Sequence, residues 1–338
     1  MSAFIFRTDA SSAIGTGHVM RCLALAQEMR IAGHDVHFVM APGSPLVDRL
    51  KSEGIKIHTM DAKPGSAQDT QKTVQHAKAC GADWVIVDGY QFDTRYQDAL
   101  KENSQRVLFI DDYGNSTHYN VDIVLNQNIY ATEDMYPRHE LNTTLLLGTK
   151  YVLLRQEFLS CPTGRMISKI ASNILVTLGG SDPKNVTGKV VEALRTLKDV
   201  QVKIVVGGAN PNLENLQESC KESFMEIIVD THDMKKIMEW ADIAVSGGGS
   251  TCYELAYIGL PALSIILADN QKPVVQELEK AGVVKNGGWH ADVTSEKITK
   301  SIQELIANHK KREVMSKNGT ELIDGKGAMR VLEKLLQC

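Results

Sequence analysis

Short β-rich runs alternate with helix-length amphipathic segments along almost the whole chain, and that alternation limits the fold more than any other feature. A strand, a helix and a further strand imply parallel pairing, because parallel neighbours need a crossover and the helix supplies it. In the first half the expected strands are Ala3–Thr8, Asp35–Met40, Ile55–Thr59, Trp84–Asp88 and Arg106–Asp111. Segments such as Val19–Ala32 and Thr94–Asn103 between them have helical length and composition. The pattern becomes irregular from Asn126 to Ala171, where Cys161-Pro-Thr-Gly marks a turn. It resumes with Asn173–Thr177, Val202–Val206, Phe224–Val229, Ile243–Val245 and Ala262–Ile265. Two such series in 338 residues predict two doubly wound α/β domains, each large enough for its own core. Ligands of this architecture sit at the carboxyl ends of the strands and between domains. The chemistry is therefore expected at strand ends.

Composition narrows the partners. The 37 basic side chains against 41 acidic ones, a net charge of −4, do not suit a surface that neutralises phosphate backbones. Aromatic residues at 6% argue against a base-stacking platform. A small molecule rather than nucleic acid is the expected partner. No apolar run approaches the ~18–20 residues that cross a bilayer, and the opening MSAFIF meets Arg7 and Asp9 too soon for a secretory signal. The cysteines stand at least 32 residues apart with no Cys-x-x-Cys pair. That spacing reads as reduced thiols of a cytoplasmic protein rather than a zinc site or a disulfide scaffold. A monomer without membrane contact is expected.

The first strand runs into Arg7-Thr-Asp-Ala-Ser-Ser-Ala-Ile-Gly-Thr-Gly-His18, where a helix begins. Gly15 and Gly17 let the chain turn tightly and bring backbone close to a ligand. The helix start offers unpaired N–H groups and the positive end of a dipole, which suit an anion. This is not the dinucleotide fingerprint, since Met20 stands where the third glycine belongs. His18 sits where a substrate can reach its ring. A neutral imidazole there can take a proton from water, and the dipole favours the neutral form. The other reading is a histidine that only caps or packs the helix. The remaining histidines fall in ordinary helix, strand or loop contexts.

Two segments of the second half are more specific. Leu175-Val-Thr-Leu-Gly-Gly-Ser-Asp-Pro183 is a strand running into a glycine turn. Ala241-Asp-Ile-Ala-Val-Ser-Gly-Gly-Gly-Ser-Thr-Cys-Tyr-Glu254 is a strand, a triple glycine and a helix start. Gly247, Gly248 and Gly249 free the backbone to wrap a diphosphate, and Ser250 and Thr251 can donate hydroxyl hydrogen bonds. Glu254 falls one turn into that helix on the face of Ser250, where a carboxylate can accept from both hydroxyls of a ribose. A tight turn followed by a surface glutamate is the plainer alternative. Beyond the next strand, Asn270 and Gln271 can donate and accept at a sugar's hydroxyl or amide groups.

These strand ends resemble nucleotide-sugar enzymes of the GT-B type, which pair two Rossmann-like domains across a cleft. The glycine turn with Ser250, Thr251 and Glu254 is similar to the UDP-binding half of the MurG-type glycosyltransferases. A closer resemblance is to the UDP-sugar hydrolases of pseudaminic acid biosynthesis, the PseG family. It rests on Arg7-Thr-Asp-Ala, Gly15-Thr-Gly-His-Val-Met-Arg-Cys22, Val87-Asp-Gly-Tyr90, Ile110-Asp-Asp-Tyr113, Leu153-Leu-Arg-Gln-Glu-Phe158, Leu178-Gly-Gly-Ser-Asp182 and Asp269-Asn-Gln271. Spore-coat-type polysaccharide-biosynthesis proteins share the Gly-Thr-Gly-His start.

The resemblance implies that residues 1–150 carry the catalytic histidine, 151–325 bind UDP, and a helix within 326–338 crosses back to the first domain. It implies hydrolysis of a UDP-linked 2,4-diacetamido-2,4,6-trideoxy sugar to the free sugar and UDP, with His18 as general base on water. Tyr90 and Asn270 would face the sugar, Glu254 the ribose, and Ser181, Ser250 and Thr251 the diphosphate. Arg155 would meet the diphosphate or the sugar. Asp9, Gly15, Thr16, Gly17, Arg21, Gly180, Gly249 and Gln271 complete the substrate-binding set. No cofactor is implied. No two aspartates stand at i and i+2, so the Asp-x-Asp metal motif of many glycosyltransferases is missing, and metal independence is expected. Two other readings keep the UDP site: a glycosyltransferase that moves the sugar to an acceptor, and a UDP-sugar-binding protein without catalysis.

Overall fold

The computed structural model describes residues 2–11, 14–160, 164–180, 182–208, 210–231 and 233–338. Ser181 and most of the Cys161-Pro-Thr-Gly turn lie outside them. The chain divides into two compact units, Met1–Gln156 with Gly325–Cys338, and Glu157–Asp324. Each is built on one parallel sheet.

In the first unit the strands are β1 (Ala3–Thr8), β2 (Asp35–Met40), β3 (Lys56–Thr59), β4 (Trp84–Asp88), β5 (Val107–Ile110), β6 (Ile123–Asn126) and β7 (Thr144–Leu147), in the spatial order β3-β2-β1-β4-β5-β6-β7. The chain leaves β1 toward one edge and returns at β4 on its other side, with Thr8 opposite Asp88. The carboxyl ends of β1 and β4 therefore flank the point where strand order reverses, the usual ligand crevice of such sheets. Both faces are covered, which is why the strands read as continuous apolar runs. Phe4, Phe6, Trp84 and Ile86 pack with the helix Gly17–Ile31, whereas Ile5, Val85 and Val87 pack with the helices Ala67–Cys80 and Thr94–Glu102. The last helix, Gly327–Gln337, belongs to this unit: Val331, Leu332 and Leu335 join the first core, and the Trp84 indole donates to the Leu335 carbonyl at 3.1 Å.

The second unit holds β8 (Asn173–Thr177), β9 (Gln201–Val206), β10 (Met225–Val229), β11 (Ile243–Gly247), β12 (Ala262–Ile266) and β13 (Val284–Trp289), ordered β10-β9-β8-β11-β12-β13. Its reversal point lies between β8 and β11, whose ends carry the two glycine turns. Three strands escape the sequence reading. β6 and β7 fall in or beside the stretch that reads as irregular, and each has only four residues. β13 contains Lys285-Asn-Gly-Gly288, residues that disfavour strands, and it pairs with β12 through a register shift after Ser264. Among the described residues no helix is long and apolar enough to cross a membrane.

At the β3 edge of the first sheet, His37, His58 and His76 stack in series with ring centroids 5.2 and 4.8 Å apart. His37 Nδ1 lies 2.9 Å from His58 Nε2, and its Nε2 lies 3.0 Å from Asp35, which also accepts from Lys56 at 2.7 Å. Among the described residues no such group is arranged to hold a metal ion. Burial, then His76, His37 and Lys56, holds His58 below the usual imidazole range. Burial and Lys72 do the same to His76. The unfolded chain therefore binds these protons more readily, so the contribution to stability is full above about pH 6.5 and is lost as pH falls below it. The melting temperature is expected to drop between about pH 7 and pH 5, and His58→Gln should make that drop shallower. Parallel Tm–pH curves for parent and variant would contradict this.

Candidate active site

His18 stands on the first turn of Gly17–Ile31, at the carboxyl end of β1, with its ring beside the end of β4. It does not cap its helix. Its Nδ1 lies 2.7 Å from Asp88 Oδ1, and the Asp88 carboxylate is fully buried. Arg21, one turn further along the same helix, grips that carboxylate with both nitrogens of its fork: Nε donates to Oδ2 and Nη2 to Oδ1, each at 2.6 Å. Its third nitrogen, Nη1, donates to Asp112 at the end of β5, at 2.7 Å. Arg21 Nη2 also lies 3.2 Å from His18 Nδ1. A guanidinium only donates, so the shorter contacts decide the protons: His18 Nδ1–H and Arg21 both donate to Asp88. This leaves Nε2 as the basic nitrogen.

The electrostatics support that assignment. Burial alone would raise the Asp88 carboxyl, but Arg21 and then His18 outweigh it and hold Asp88 well below the usual carboxylate range. Asp112 is likewise held low by Arg21 against its burial. Asp88 is therefore charged at neutral pH and orients the imidazole, as in other His–Asp pairs. Tyr90, two residues beyond β4, stands edge-on to the His18 ring at 4.7 Å and donates its hydroxyl to Asp112 Oδ2 at 2.9 Å. Asn128 donates to the other oxygen of Asp112 at 2.8 Å.

Other expected residues of this unit have different surroundings. Asp9 is buried at the end of β1, where Oδ1 accepts from Ala41 N at 2.7 Å and meets Arg7 at 2.8 Å. Its Oδ2 is buried with no hydrogen-bond partner among the described residues. Arg155 is half-buried between Leu154 and Gln156, and Gln156 ties this segment to Gln27 of the first helix. Gly15 takes φ +81° and its N–H donates to Ser11 O at 2.8 Å, so the turn itself requires glycine.

In the second unit, Gly179 and Gly180 follow β8, and Gly247 closes β11. Ser250 is the N-cap of the helix Thr251–Ile258, Glu254 lies half-buried within it, and Asn270 is the N-cap of Gln271–Lys280. Thr16 in the first unit holds the same place before Gly17–Ile31. These residue types normally cap, and Ser66, Asp93, Asp233, Thr294 and Asn308 do so elsewhere in the chain. Thr16, Ser250 and Asn270 make no side-chain cap bond, and neither do Thr132, Asn185 and Asn212. At Ser250 and Asn270 the turn itself takes up backbone donors: Cys252 and Tyr253 N–H donate to the Gly249 and Ser250 carbonyls, Gln271 and Lys272 N–H donate to the Ala268 and Asp269 carbonyls, and Pro273 has no N–H. The Gln271 side-chain carbonyl accepts from Gly248 N at 3.0 Å and Leu267 N at 2.9 Å, joining the ends of β11 and β12.

The glycines sort into two kinds. A Cβ on Gly247 would stand 2.9 Å from Leu267, and one on Gly248 would clash with Val275, so packing explains both. Gly17, Gly180 and Gly249 have φ outside the left-handed region, and an added Cβ would meet nothing within 3.7 Å. Every other glycine has either a positive φ or a closer neighbour. The fold does not need glycine at these three positions, and each is an expected ligand-binding residue.

Asp88 and Asp112 were legible only indirectly. Each is a charge at the end of an otherwise apolar strand, Trp84-Val-Ile-Val-Asp88 and Val107-Leu-Phe-Ile-Asp-Asp112. A charge so placed needs a buried partner, and Arg21 is that partner.

Residues 173–329 match the glycosyltransferase family 28 C-terminal domain. A Methanocaldococcus jannaschii protein is 28% identical over 275 residues, which make up 78% of this chain and 55% of that protein, so the match spans about half of its length. The UDP-2,4-diacetamido-2,4,6-trideoxy-β-L-altropyranose hydrolase of Campylobacter jejuni is 26% identical over 283 residues, 82% of this chain and 96% of that one. The crystal structure of Acinetobacter baumannii MurG superposes with a TM-score of 0.68 at 18% identity, covering 99% of this chain and 100% of that one. The fold is therefore the GT-B type. The spore coat polysaccharide biosynthesis protein SpsG of Bacillus subtilis is 31% identical over 229 residues, 67% of each chain. The chain belongs to the family of that protein.

Proposed function

We propose that the chain hydrolyses a UDP-linked 2,4-diacetamido-2,4,6-trideoxy sugar to the free sugar and UDP, as a step of nonulosonic (pseudaminic) acid biosynthesis. The observation that carries this reading is the buried His18–Asp88–Arg21 arrangement at the β1–β4 reversal point. It leaves one imidazole nitrogen to take a proton from the attacking nucleophile, which in this reading is water. The Campylobacter hydrolase, matched over 96% of its length, supports the substrate class.

Water attacks the anomeric carbon as the bond from that carbon to the diphosphate oxygen breaks. The bonding electrons leave with UDP, the water proton passes to His18 Nε2, and configuration inverts. Charge on the leaving diphosphate is met by the helix starts and hydroxyls at Ser250 and Thr251, without a metal ion. Glu254 accepts from the ribose hydroxyls, and Asn270 and Tyr90 face the sugar. Arg155 meets the diphosphate or the sugar.

The test is incubation of the purified protein with the UDP-sugar, EDTA and no acceptor. Stoichiometric free sugar and UDP are expected. Turnover that begins only when an acceptor sugar is added would establish the transferase reading instead, and UDP-sugar binding without turnover under either condition would establish the sensor reading.

The open glycines give a separate prediction. Gly180→Ala and Gly249→Ala should each change stability by about 1 kcal/mol or less, since neither position is strained or crowded. Each methyl fills space that the diphosphate occupies, so UDP affinity is expected to fall by about tenfold or more, a cost of at least ~1.4 kcal/mol. Calorimetric titration with UDP, beside a thermal melt, checks both. Unchanged affinity would remove the diphosphate from these turns.

A further inference from the structure

Among the described residues, the exposed aromatic side chains are Tyr90 at 53% and Tyr113 at 41%. They touch each other, with ring centroids 5.1 Å apart and planes tilted by 59°. Tyr90 in turn touches the His18 ring. About half of each ring stays open to solvent, and together the two open faces offer a ligand an aromatic surface beside His18.

The pair is also held firmly from below. Tyr90 is fixed by its bond to Asp112. Tyr113 rides on a turn anchored by buried Asp111. That carboxylate accepts from Gly114 N at 2.7 Å and from the hydroxyls of Tyr119 and Tyr136, each at 3.0 Å. Gly114 closes the turn with φ +65°, and a Cβ there would stand 2.5 Å from the Met135 carbonyl. Neither the hydrolytic step nor the grip on UDP uses Tyr113. The turn spends a buried carboxylate and a positive-φ glycine on presenting one exposed ring.

We propose that Tyr113 is a specificity residue: with Tyr90 it forms an aromatic platform for the apolar C–H face of the sugar and for its acetamido and C6 methyl groups. This rests on the substrate class proposed above. A 2,4-diacetamido-2,4,6-trideoxy sugar carries three methyl groups and few hydroxyls, and such a surface gains from lying on aromatic rings. A sugar with one acetamido group and a 6-hydroxyl gains less.

The test compares affinities in a His18→Asn background, which holds the sugar nucleotide without consuming it. Calorimetry is run with UDP, UDP-N-acetylglucosamine and the UDP-diacetamido-trideoxy sugar, with and without a second change at Tyr113. Tyr113→Ala is expected to weaken the diacetamido ligand about tenfold, to weaken UDP-N-acetylglucosamine less, and to leave UDP within about twofold. Tyr113→Phe, which keeps the ring, should bind all three as the background does. Equal losses for both sugar nucleotides, no loss for either, or a parallel loss for UDP would overturn the proposal. Failure of the hydrolase reading would appear separately, as absence of turnover by the unaltered protein without acceptor, and leaves this comparison readable.

Discussion

Replacing His18 with alanine is expected to lower kcat by about 10²–10⁴-fold, the usual contribution of a positioned general base, while UDP affinity stays nearly unchanged. His18 belongs to the first unit, and its contacts are Asp88, Arg21 and Tyr90. The helix starts and glycine turns assigned to UDP lie in the second unit. Removing the imidazole takes away the proton acceptor without touching those groups. Steady-state kinetics beside UDP titration reads both quantities. Near-parental kcat in the variant would mean that another group activates water, or that water is not the nucleophile.

Asp88→Asn is expected to cost nearly as much activity and to cost stability as well. The carboxylate accepts from His18 and twice from Arg21, and the Cys22 thiol lies 3.5 Å from it. An asparagine keeps one acceptor oxygen but turns an N–H₂ group toward a donor. Arg21 then keeps Asp112 alone as its carboxylate partner. Breaking one side of a buried ion pair typically costs about 3–5 kcal/mol, and the remaining Asp112 contact places this change near the lower end. Activity should fall by about 10²-fold or more, because His18 loses the group that sets its tautomer and orientation. A positioning role makes a further demand: the double variant His18→Ala, Asp88→Asn should be no slower than His18→Ala alone. Multiplicative losses would show that Asp88 acts on its own.

Much of this was readable from residue order, for identifiable reasons. Strands buried on both faces announce themselves as apolar runs, so β1, β2, β4 and β8 match the expected bounds residue for residue. β13 does not announce itself, because Gly287 and Gly288 serve a register shift that only the pairing with β12 explains. At the site, the Gly-Thr-Gly-His turn pointed to His18, but nothing near it in sequence pointed to Asp88, which lies 70 residues away. Parallel topology brings β1 and β4 together, and only then does the charge ending Val85-Ile-Val-Asp88 gain a meaning. Gln271 shows the reverse. Its polarity suggests a sugar contact, but nothing in the sequence says that its carbonyl also joins the ends of β11 and β12 by accepting from two backbone N–H groups. Tyr113 was visible only as part of a motif, since its exposure depends on the turn that Asp111 builds.

The central claim is that water, deprotonated by His18, attacks the anomeric carbon of a UDP-linked sugar. Single-turnover hydrolysis in ¹⁸O-labelled water, without acceptor and in EDTA, tests it most directly by mass spectrometry of both products. The label is expected wholly in the free sugar, with unlabelled UDP, and its incorporation should collapse in His18→Ala. Label in the phosphate of UDP, or no free sugar until an acceptor is supplied, would contradict the account.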